Sequence, residues 1–232
     1  AGYGKSTALA ELGSELGRLA WYQVHGEDND PLVFLMHLCH AFLRALPDLP
    51  DLPLPNLEAW DGTQGPLPWR GVVDACINAL SAHLDSPLLL VLDDAHLVLD
   101  DSEVVHIVDR LISLAPAQLH ILLSGRPTIS LPSLSRLRAQ GDVLHIEQAI
   151  LNFNADEIAA LFATHYALEL NSDEVKAMVD TTEGWAIALQ LIWQSIRGQS
   201  SASLEFPLRK RSESLDVLFD MLAQEVFERQ PA

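Results

Sequence analysis

The sequence is poor in positive charge. Only 14 Lys and Arg residues stand against 32 Asp and Glu residues, which gives a formal net charge of −18. Such a surface repels a phosphate backbone, so we do not expect this chain to bind DNA by itself. Lysine is especially rare, and one of the few copies, Lys5, lies in a glycine-rich segment.

Cysteines and long apolar runs are also scarce. Cys39 and Cys76 are far apart in apolar, helix-like patterns. They predict two buried reduced thiols and a cytoplasmic protein. The longest apolar run, PLLLVL, is far shorter than the ~20 residues of a membrane-spanning helix, so we expect no membrane partner. Apolar residues still make up 49% of the chain, which is enough for a substantial core.

Helical and strand-like segments alternate through the first 150 residues. Apolar spacing predicts helices over residues 5–19, 31–46, 69–84 and 100–115, with a shorter helix in SLPSLSRLRAQ. Strands are predicted in LAWYQVH, SPLLLVLDD, AQLHILLSG and DVLHIEQ. This order predicts an α/β fold with a parallel sheet and helices on both faces. The proline-rich stretch 47–68 predicts a loop without regular structure.

The pattern changes after about residue 150. NADE at 154 and NSDE at 171 have the form of a capping box, in which Asn starts a helix and Glu follows three residues later. A third helix is predicted over 185–196. The sequence therefore predicts a small helical domain over 151–200.

The segment GYGKST matches the end of a phosphate-binding loop. In such a loop, backbone N–H groups and the start of a helix point at phosphate oxygens. Lys5 would reach the β- and γ-phosphates, and Ser6 would ligate Mg²⁺. The alternative is an ordinary glycine-containing helix cap with a solvated lysine.

Two further elements support the phosphate-site hypothesis. A phosphate loop needs an acid at the end of a neighbouring buried strand, and Asp93 and Asp94 close the run LLLVL. Arg126 follows the next strand, where an arginine can neutralise the γ-phosphate. The alternatives are a polar turn for the aspartates and a surface position for Arg126. Together the three elements predict binding of ATP or ADP with Mg²⁺.

At this point the chain resembles a known family. GYGKST, LLLVLDDAHLV, LLSGRPTISLPSLSRLRAQG, LNFNADEIAALF and TTEGWAIALQL occur in the order and spacing of the MalT-type signal-transduction ATPases. These are large LuxR-type regulators within the STAND class of P-loop NTPases, which is related to AAA+ ATPases and has sheet order 5-1-4-3-2. The resemblance implies that this chain is a fragment of the nucleotide-binding region, lacking its first central strand and the adenine-contacting residues upstream.

The resemblance also implies roles for particular residues. Asp93 matches the Mg²⁺-linked acid of the Walker B motif. Asp94 matches the position that orients the attacking water, and Arg126 matches a sensor-like arginine. Trp185 falls in a lid turn that carries Gly-x-Pro in many relatives, although a helical-core role is equally open for it. The residues that match the tail of the Walker A motif are Gly2, Gly4, Lys5, Ser6 and Thr7.

The domain plan follows from the same likeness. Residues 1–150 would form a P-loop nucleotide-binding α/β domain, 151–200 a helical lid, and 201–232 a linker and the start of a winged-helix domain. The complete protein would be a transcriptional activator whose slow Mg²⁺-dependent ATP hydrolysis controls self-association. Inducer and DNA would bind downstream domains. The alternatives are a metabolic P-loop enzyme such as a kinase, and a scaffold that does not bind nucleotide.

Overall fold

The computed structural model describes residues 2–63, 65–99, 103–125 and 129–196. The chain divides into two compact units. Residues 6–145 form the α/β unit, and residues 2–5 together with 146–196 belong to the helical unit. Each unit has a hydrophobic core of its own.

The elements of the α/β unit follow the predicted order. Its strands are β1 (Leu19–Gln23), β2 (Leu88–Asp93) and β3 (Leu119–Leu123). Its helices are α1 (Lys5–Leu16), α2 (Pro31–Ala45), α3 (Leu54–Glu58), α4 (Trp69–His83), α5 (Glu103–Leu114) and α6 (Leu134–Gln140). The predicted helices and the first three predicted strands are confirmed, with small shifts at their ends.

The three strands form a parallel sheet in the order β1-β2-β3. Every residue of the central strand β2 is buried, which explains why its sequence shows no polar alternation. The register places Gln23 opposite Asp93 and Leu92 opposite Leu123. Because all three strands run the same way, their carboxyl ends meet at one edge of the sheet.

Helices cover both faces of this sheet. Leu88, Leu90 and Leu92 share one core with buried side chains of α2, α4 and α5. Leu89 and Val91 point to the other face and pack with Leu9 of α1. The alternating faces of β2 therefore each bury leucine or valine side chains, and each such side chain contributes about 1.5–3 kcal/mol. The predicted helices on both faces are confirmed.

The start of α2 and the burial of its cysteine also agree with the predictions from the sequence. Asp30 accepts hydrogen bonds from the backbone N–H groups of Leu32 and Val33, at 2.8 and 3.2 Å, and Pro31 fits the first helical position. Cys39 of α2 and Cys76 of α4 are both fully buried, with their sulfur atoms 3.7 Å apart. The prediction of two buried thiols is confirmed.

The predicted strand in DVLHIEQ is wrong. Gly141 ends α6 in a left-handed conformation, residues 142–147 form no regular element, and a 3₁₀ turn follows over Gln148–Leu151. Leu144 is 84% exposed and Ile146 is 50% exposed. A strand requires a hydrogen-bonding neighbour, and no strand of the described part of the chain lies beside this segment. Its alternating pattern therefore has no partner here.

The proline-rich stretch 47–68 has regular structure, contrary to the prediction. It contains the short helix α3, whose Leu54 and Leu57 are buried in the main core. Pro53 lies at the cap and Pro55 in the first turn, where a missing N–H costs no helical hydrogen bond. Prolines at these positions start a helix instead of preventing it.

The helical unit contains α7 (Ala155–Tyr166), α8 (Ser172–Thr182) and α9 (Ala186–Ile196). Asn154 and Asn171 both form complete capping boxes with the Glu three residues later, as predicted. Their N-cap amide oxygens accept from backbone N–H groups at 3.0 Å. The helices pack around Ile158, Phe162, Met178, Leu189 and Ile192.

Several predictions lie outside the described residues. These are the first residues of the helix predicted over 100–115, the arginine Arg126, and the linker and winged-helix start over 201–232. The expected additional central strand and the sheet order 5-1-4-3-2 also stay predictions. Among the helices described, none combines the length and apolar character needed to cross a membrane.

Candidate functional site

The glycine-rich segment has the backbone conformation of a tight loop. Gly2 and Gly4 have φ values of 75° and 72°, which favour glycine. Lys5 is the first residue of α1, whose 12 residues align their peptide dipoles. The first N–H groups of a helix have no partner within it, so the start of α1 is suited to an anion. Thr7 lies in the first turn of α1 and is exposed.

Ser6 and Asp93 are brought together from positions 87 residues apart. The Ser6 hydroxyl donates to Oδ2 of Asp93 at 2.8 Å. Asp93 is only 3% exposed because it ends the buried strand β2. Its second oxygen, Oδ1, accepts from the backbone N–H of Asp94 at 3.1 Å. A serine hydroxyl and a carboxylate thus lie side by side at the carboxyl edge of the sheet.

Asp94 occupies a distinct conformation directly after β2. Its φ and ψ of 56° and 33° are left-handed, a region that aspartate tolerates better than most residues. The side chain does not cap the 3₁₀ turn Ala95–Leu97 that follows. Its Oδ2 instead accepts from Nε2 of Gln23 at 3.0 Å, and its Oδ1 lies 3.9 Å from Nδ1 of His96.

Gln23 is a site residue that the sequence analysis did not identify. It ends β1, directly opposite Asp93 in the register, and its exposed amide reaches Asp94. Its only sequence signal is its place near the end of the strand predicted in LAWYQVH.

The residue that follows β3 is hydrogen-bonded to the end of β2. The backbone N–H of Ser124 donates to the carbonyl of Leu92 at 3.0 Å, and the N–H of Ala95 donates to the carbonyl of Ser124 at 2.8 Å. These bonds hold the segment before Arg126 beside the end of β2. Arg126 itself lies outside the described residues, so its predicted role stays a prediction.

The helical unit contains a pocket of about 390 Å³. The rings of Tyr3 and Trp185 lie 5.8 Å apart at a tilt of 37° on its wall. Nε2 of Gln148 donates to the Tyr3 hydroxyl at 2.7 Å. The other lining residues are polar: Asn152, Thr181, Thr182 and Glu183. The sequence alone leaves Trp185 open between a core role and a ligand contact, and no motif groups Trp185 with Tyr3 and Gln148.

Comparison with known proteins gives matches along nearly the whole chain. The sequence is 31% identical over 231 residues to the serine/threonine-protein kinase PknK of Mycobacterium tuberculosis, covering 98% of this chain and 20% of PknK. It is 28% identical over 242 residues to the HTH-type transcriptional regulator MalT of Yersinia enterocolitica, covering 99% of this chain and 25% of MalT. MalT of Yersinia pestis is 28% identical over 232 residues.

The resemblance to MalT-type regulators is confirmed. The chain spans about a quarter or less of the length of these curated relatives. No protein-family model matches it. The three-stranded parallel sheet with helices on both faces fits the P-loop NTPase fold that the MalT-type resemblance implies.

Proposed function

We propose that the α/β unit binds the phosphates of ATP or ADP, and that this binding is the switch of a MalT-type transcriptional regulator. The observation that supports this most directly is the 2.8 Å hydrogen bond between Ser6 and Asp93. One residue comes from the start of α1 and the other from the end of β2. A phosphate loop and its companion acid have to meet in this way if they are to share one metal-bound nucleotide.

The residues present fit a magnesium ion. Mg²⁺ prefers oxygen ligands and keeps several waters, so a hydroxyl and one or two carboxylates are enough when phosphates supply the rest. The Ser6 hydroxyl and the Asp93 carboxylate are such oxygens, already adjacent. Within the described residues no cluster of three or more His, Cys, Asp or Glu side chains is arranged for a metal. A phosphate-dependent site, with Ser6 as ligand and Asp93 acting through water, is the arrangement we propose.

Magnesium would neutralise the charge of the β- and γ-phosphates. Lys5 would add a second positive charge on the same phosphates, and the N–H groups at the start of α1 would bind their oxygens. Asp94 would hold the attacking water through its carboxylate. We assign Arg126 to the γ-phosphate on the strength of the family pattern, together with the attachment of the preceding Ser124 to the end of β2.

The pocket of the helical unit is suited to a flat heteroaromatic ring. Tyr3 and Trp185 supply apolar ring surface, while Gln148 and Asn152 supply amide groups that can read polar ring edges. Tyr3 belongs to the same glycine-rich segment as Lys5. We therefore propose that this pocket binds a flat aromatic ring, and that residues 151–200 serve as the lid domain.

For the complete protein we propose a two-state mechanism. ATP-bound and ADP-bound forms would differ in the packing of the lid and the following domains, and the ATP form would self-associate. Slow hydrolysis would set how long that form lasts. An inducer and DNA would bind through domains beyond this chain. The name of MalT as an HTH-type transcriptional regulator supports this proposal.

The name of PknK favours a second candidate, a phosphate-transferring enzyme. The chain matches only 20% of PknK, and the same stretch matches MalT, which is named for a different activity. What a kinase and a transcriptional regulator can share in this stretch is nucleotide binding. Substrate-dependent phosphate transfer by the complete protein would favour the kinase candidate.

Calorimetric titration of the complete protein with ATP tests the proposed site. We expect Lys5→Ala to abolish ATP binding, because the ammonium meets the phosphates directly. Asp93→Ala should mainly remove the Mg²⁺ dependence, because this carboxylate acts through the metal. Lys176→Ala is the matched control, since Lys176 is exposed on α8. Equal ATP affinity for Lys5→Ala and the unmodified protein would defeat the proposal and favour the nucleotide-independent scaffold.

A further inference from the structure

We propose that His37 and His40 bind a divalent transition-metal ion such as Zn²⁺ on the exposed side of α2, with Asp28 as the carboxylate that orients His37. This site differs from the proposed magnesium site in its residues and in its chemistry. Its ligands are imidazole nitrogens, whereas Ser6 and Asp93 offer oxygen atoms. The inference does not rest on the proposed function, because no residue of the phosphate site takes part in it.

Asp28 is a buried carboxylate whose two oxygen atoms both have hydrogen-bonding partners. It is 2% exposed and lies in the 3₁₀ turn Gly26–Asn29 that precedes α2. Its Oδ2 accepts from the backbone N–H of His25 at 2.8 Å, and its Oδ1 lies 3.0 Å from Nδ1 of His37. An ionised carboxylate can only accept hydrogen bonds, so Nδ1 of His37 is the nitrogen that carries a proton.

The ring of His37 is thereby oriented for a ligand at its other nitrogen. Its Nδ1 faces Asp28 and also the Tyr22 hydroxyl, which lies 3.4 Å away. With the proton on Nδ1, the lone pair of the neutral imidazole is on Nε2. Half of the His37 side chain is exposed, although the carboxylate behind it is buried. Histidines that bind metals usually have this arrangement, in which one nitrogen donates to a carboxylate and the other ligates the ion.

His40 supplies a second imidazole on the same side of α2. It follows His37 by three residues and is also exposed, while Leu38 and Cys39 between them are buried. Residues three apart are neighbours on a helix surface, with Cβ atoms about 5–6 Å apart. Helical side chains point back toward the amino end, so the His40 side chain covers the turn that contains His37. Two imidazoles placed in this way can reach one ion.

The two imidazole nitrogens determine which metals suit the site. Imidazole suits zinc, copper and nickel, whereas carboxylate, carbonyl and water oxygens suit magnesium and calcium. In the part of the chain that the structure describes, no third His, Cys, Asp or Glu side chain is grouped with this pair for a metal, so water would fill the remaining positions. The formal net charge of −18 favours the approach of a cation. We expect Cu²⁺ to bind more tightly than Ni²⁺ or Zn²⁺, and Mg²⁺ not to compete.

Labelling of the complete protein with diethylpyrocarbonate, which modifies free imidazole nitrogens, tests the site when it is read residue by residue by mass spectrometry. We expect Zn²⁺ to protect His37 and His40 over the same concentration range, and Mg²⁺ to leave both reactive. Because the two share one ion, His37→Gln should abolish the protection of His40, and His40→Gln that of His37. His165, exposed on α7, is the control: it should stay reactive, and His165→Gln should leave the protection of the pair unchanged.

Asp28→Asn tests the orientation of His37. An amide can donate to Nδ1, which moves the ring proton to Nε2 and opposes the metal. We expect half-maximal protection to need about ten- to hundredfold more Zn²⁺. An unchanged Zn²⁺ requirement in folded Asp28→Asn overturns the role of Asp28. Protection of His40 that persists in His37→Gln, or equal protection of His165, overturns the site itself, and this result does not depend on whether Asp28→Asn folds.

Discussion

Replacing Gly184 with alanine should destabilise the helical unit far more than the same change at another left-handed glycine. Gly184 has φ 75° and follows Glu183, which is itself left-handed, at the end of α8. Its carbonyl accepts from the N–H of Phe153 at 2.9 Å. A Cβ at this position would lie 2.8 Å from the nitrogen of Phe153 and would also overlap its carbonyl oxygen. The backbone atoms of Phe153 cannot rotate away as a side chain can.

The expected magnitude follows from two additive costs. A left-handed alanine costs about 1–2 kcal/mol relative to glycine. Overpacking costs typically about 1–3 kcal/mol more. Gly17 isolates the first cost, because its φ is 76° and a Cβ there would meet nothing within 4 Å. We therefore expect a loss of about 2–5 kcal/mol for Gly184→Ala and about 1–2 kcal/mol for Gly17→Ala.

Amide hydrogen exchange read by mass spectrometry measures both variants in the complete protein. Peptides of α7 to α9 report on Gly184→Ala, and peptides of α1 report on Gly17→Ala. The protection lost in the first set should exceed that lost in the second by at least about fivefold, which corresponds to about 1 kcal/mol. Equal losses would show that the close approach to Phe153 contributes nothing, and the placement of the Gly184 turn would be wrong.

Two further predictions concern the core of the α/β unit. Burial, together with the nearby charge of Asp28, raises the pKa of Tyr22 well above its usual value; above about pH 10 an unfolded tyrosine therefore ionises while the folded one does not. The free energy of unfolding, measured by urea titration, should therefore fall as the pH rises through that range. It should fall less steeply in Tyr22→Phe. Parallel pH dependences in the two proteins would contradict this prediction. The hydrogen bond with Cys39, followed by burial, raises the pKa of the Cys76 thiol. Because both thiols are buried, both cysteines should resist iodoacetamide in the native protein and react in urea, and rapid native labelling would show that the core is open.

The features predicted correctly were those that a short stretch of sequence determines. Asn154 and Asn171 start helices because each cap is satisfied by a glutamate three residues away. The strand β2 was evident because a run of five apolar residues followed by aspartate is typical of a strand that is buried on both faces. The Ser6 hydroxyl also lies beside the Asp93 carboxylate, two residues that the sequence predicts to belong to one phosphate site.

The features that were missed depend on tertiary contacts, which cannot be read from a short stretch of sequence. DVLHIEQ alternates like a strand, yet Leu144 and Ile146 are exposed where no strand of the described chain pairs with them. The stretch around α3 was judged by its prolines alone, although Leu54 and Leu57 gain enough from burial to fix a turn there. In both cases tertiary contact decided the outcome, once by its absence and once by its presence.

Gln23 shows the same limit at the candidate site. Glutamine at the end of a strand is chemically unremarkable, and nothing near it in sequence connects it to Asp94, 71 residues away. The contact exists because the parallel register aligns the two strand ends and because Asp94 adopts a left-handed turn that redirects its carboxylate. Residue type could thus identify Asp93 and Asp94 as candidates. Only the register and the backbone conformation could show that Asp94 accepts a hydrogen bond from the amide at the end of the neighbouring strand.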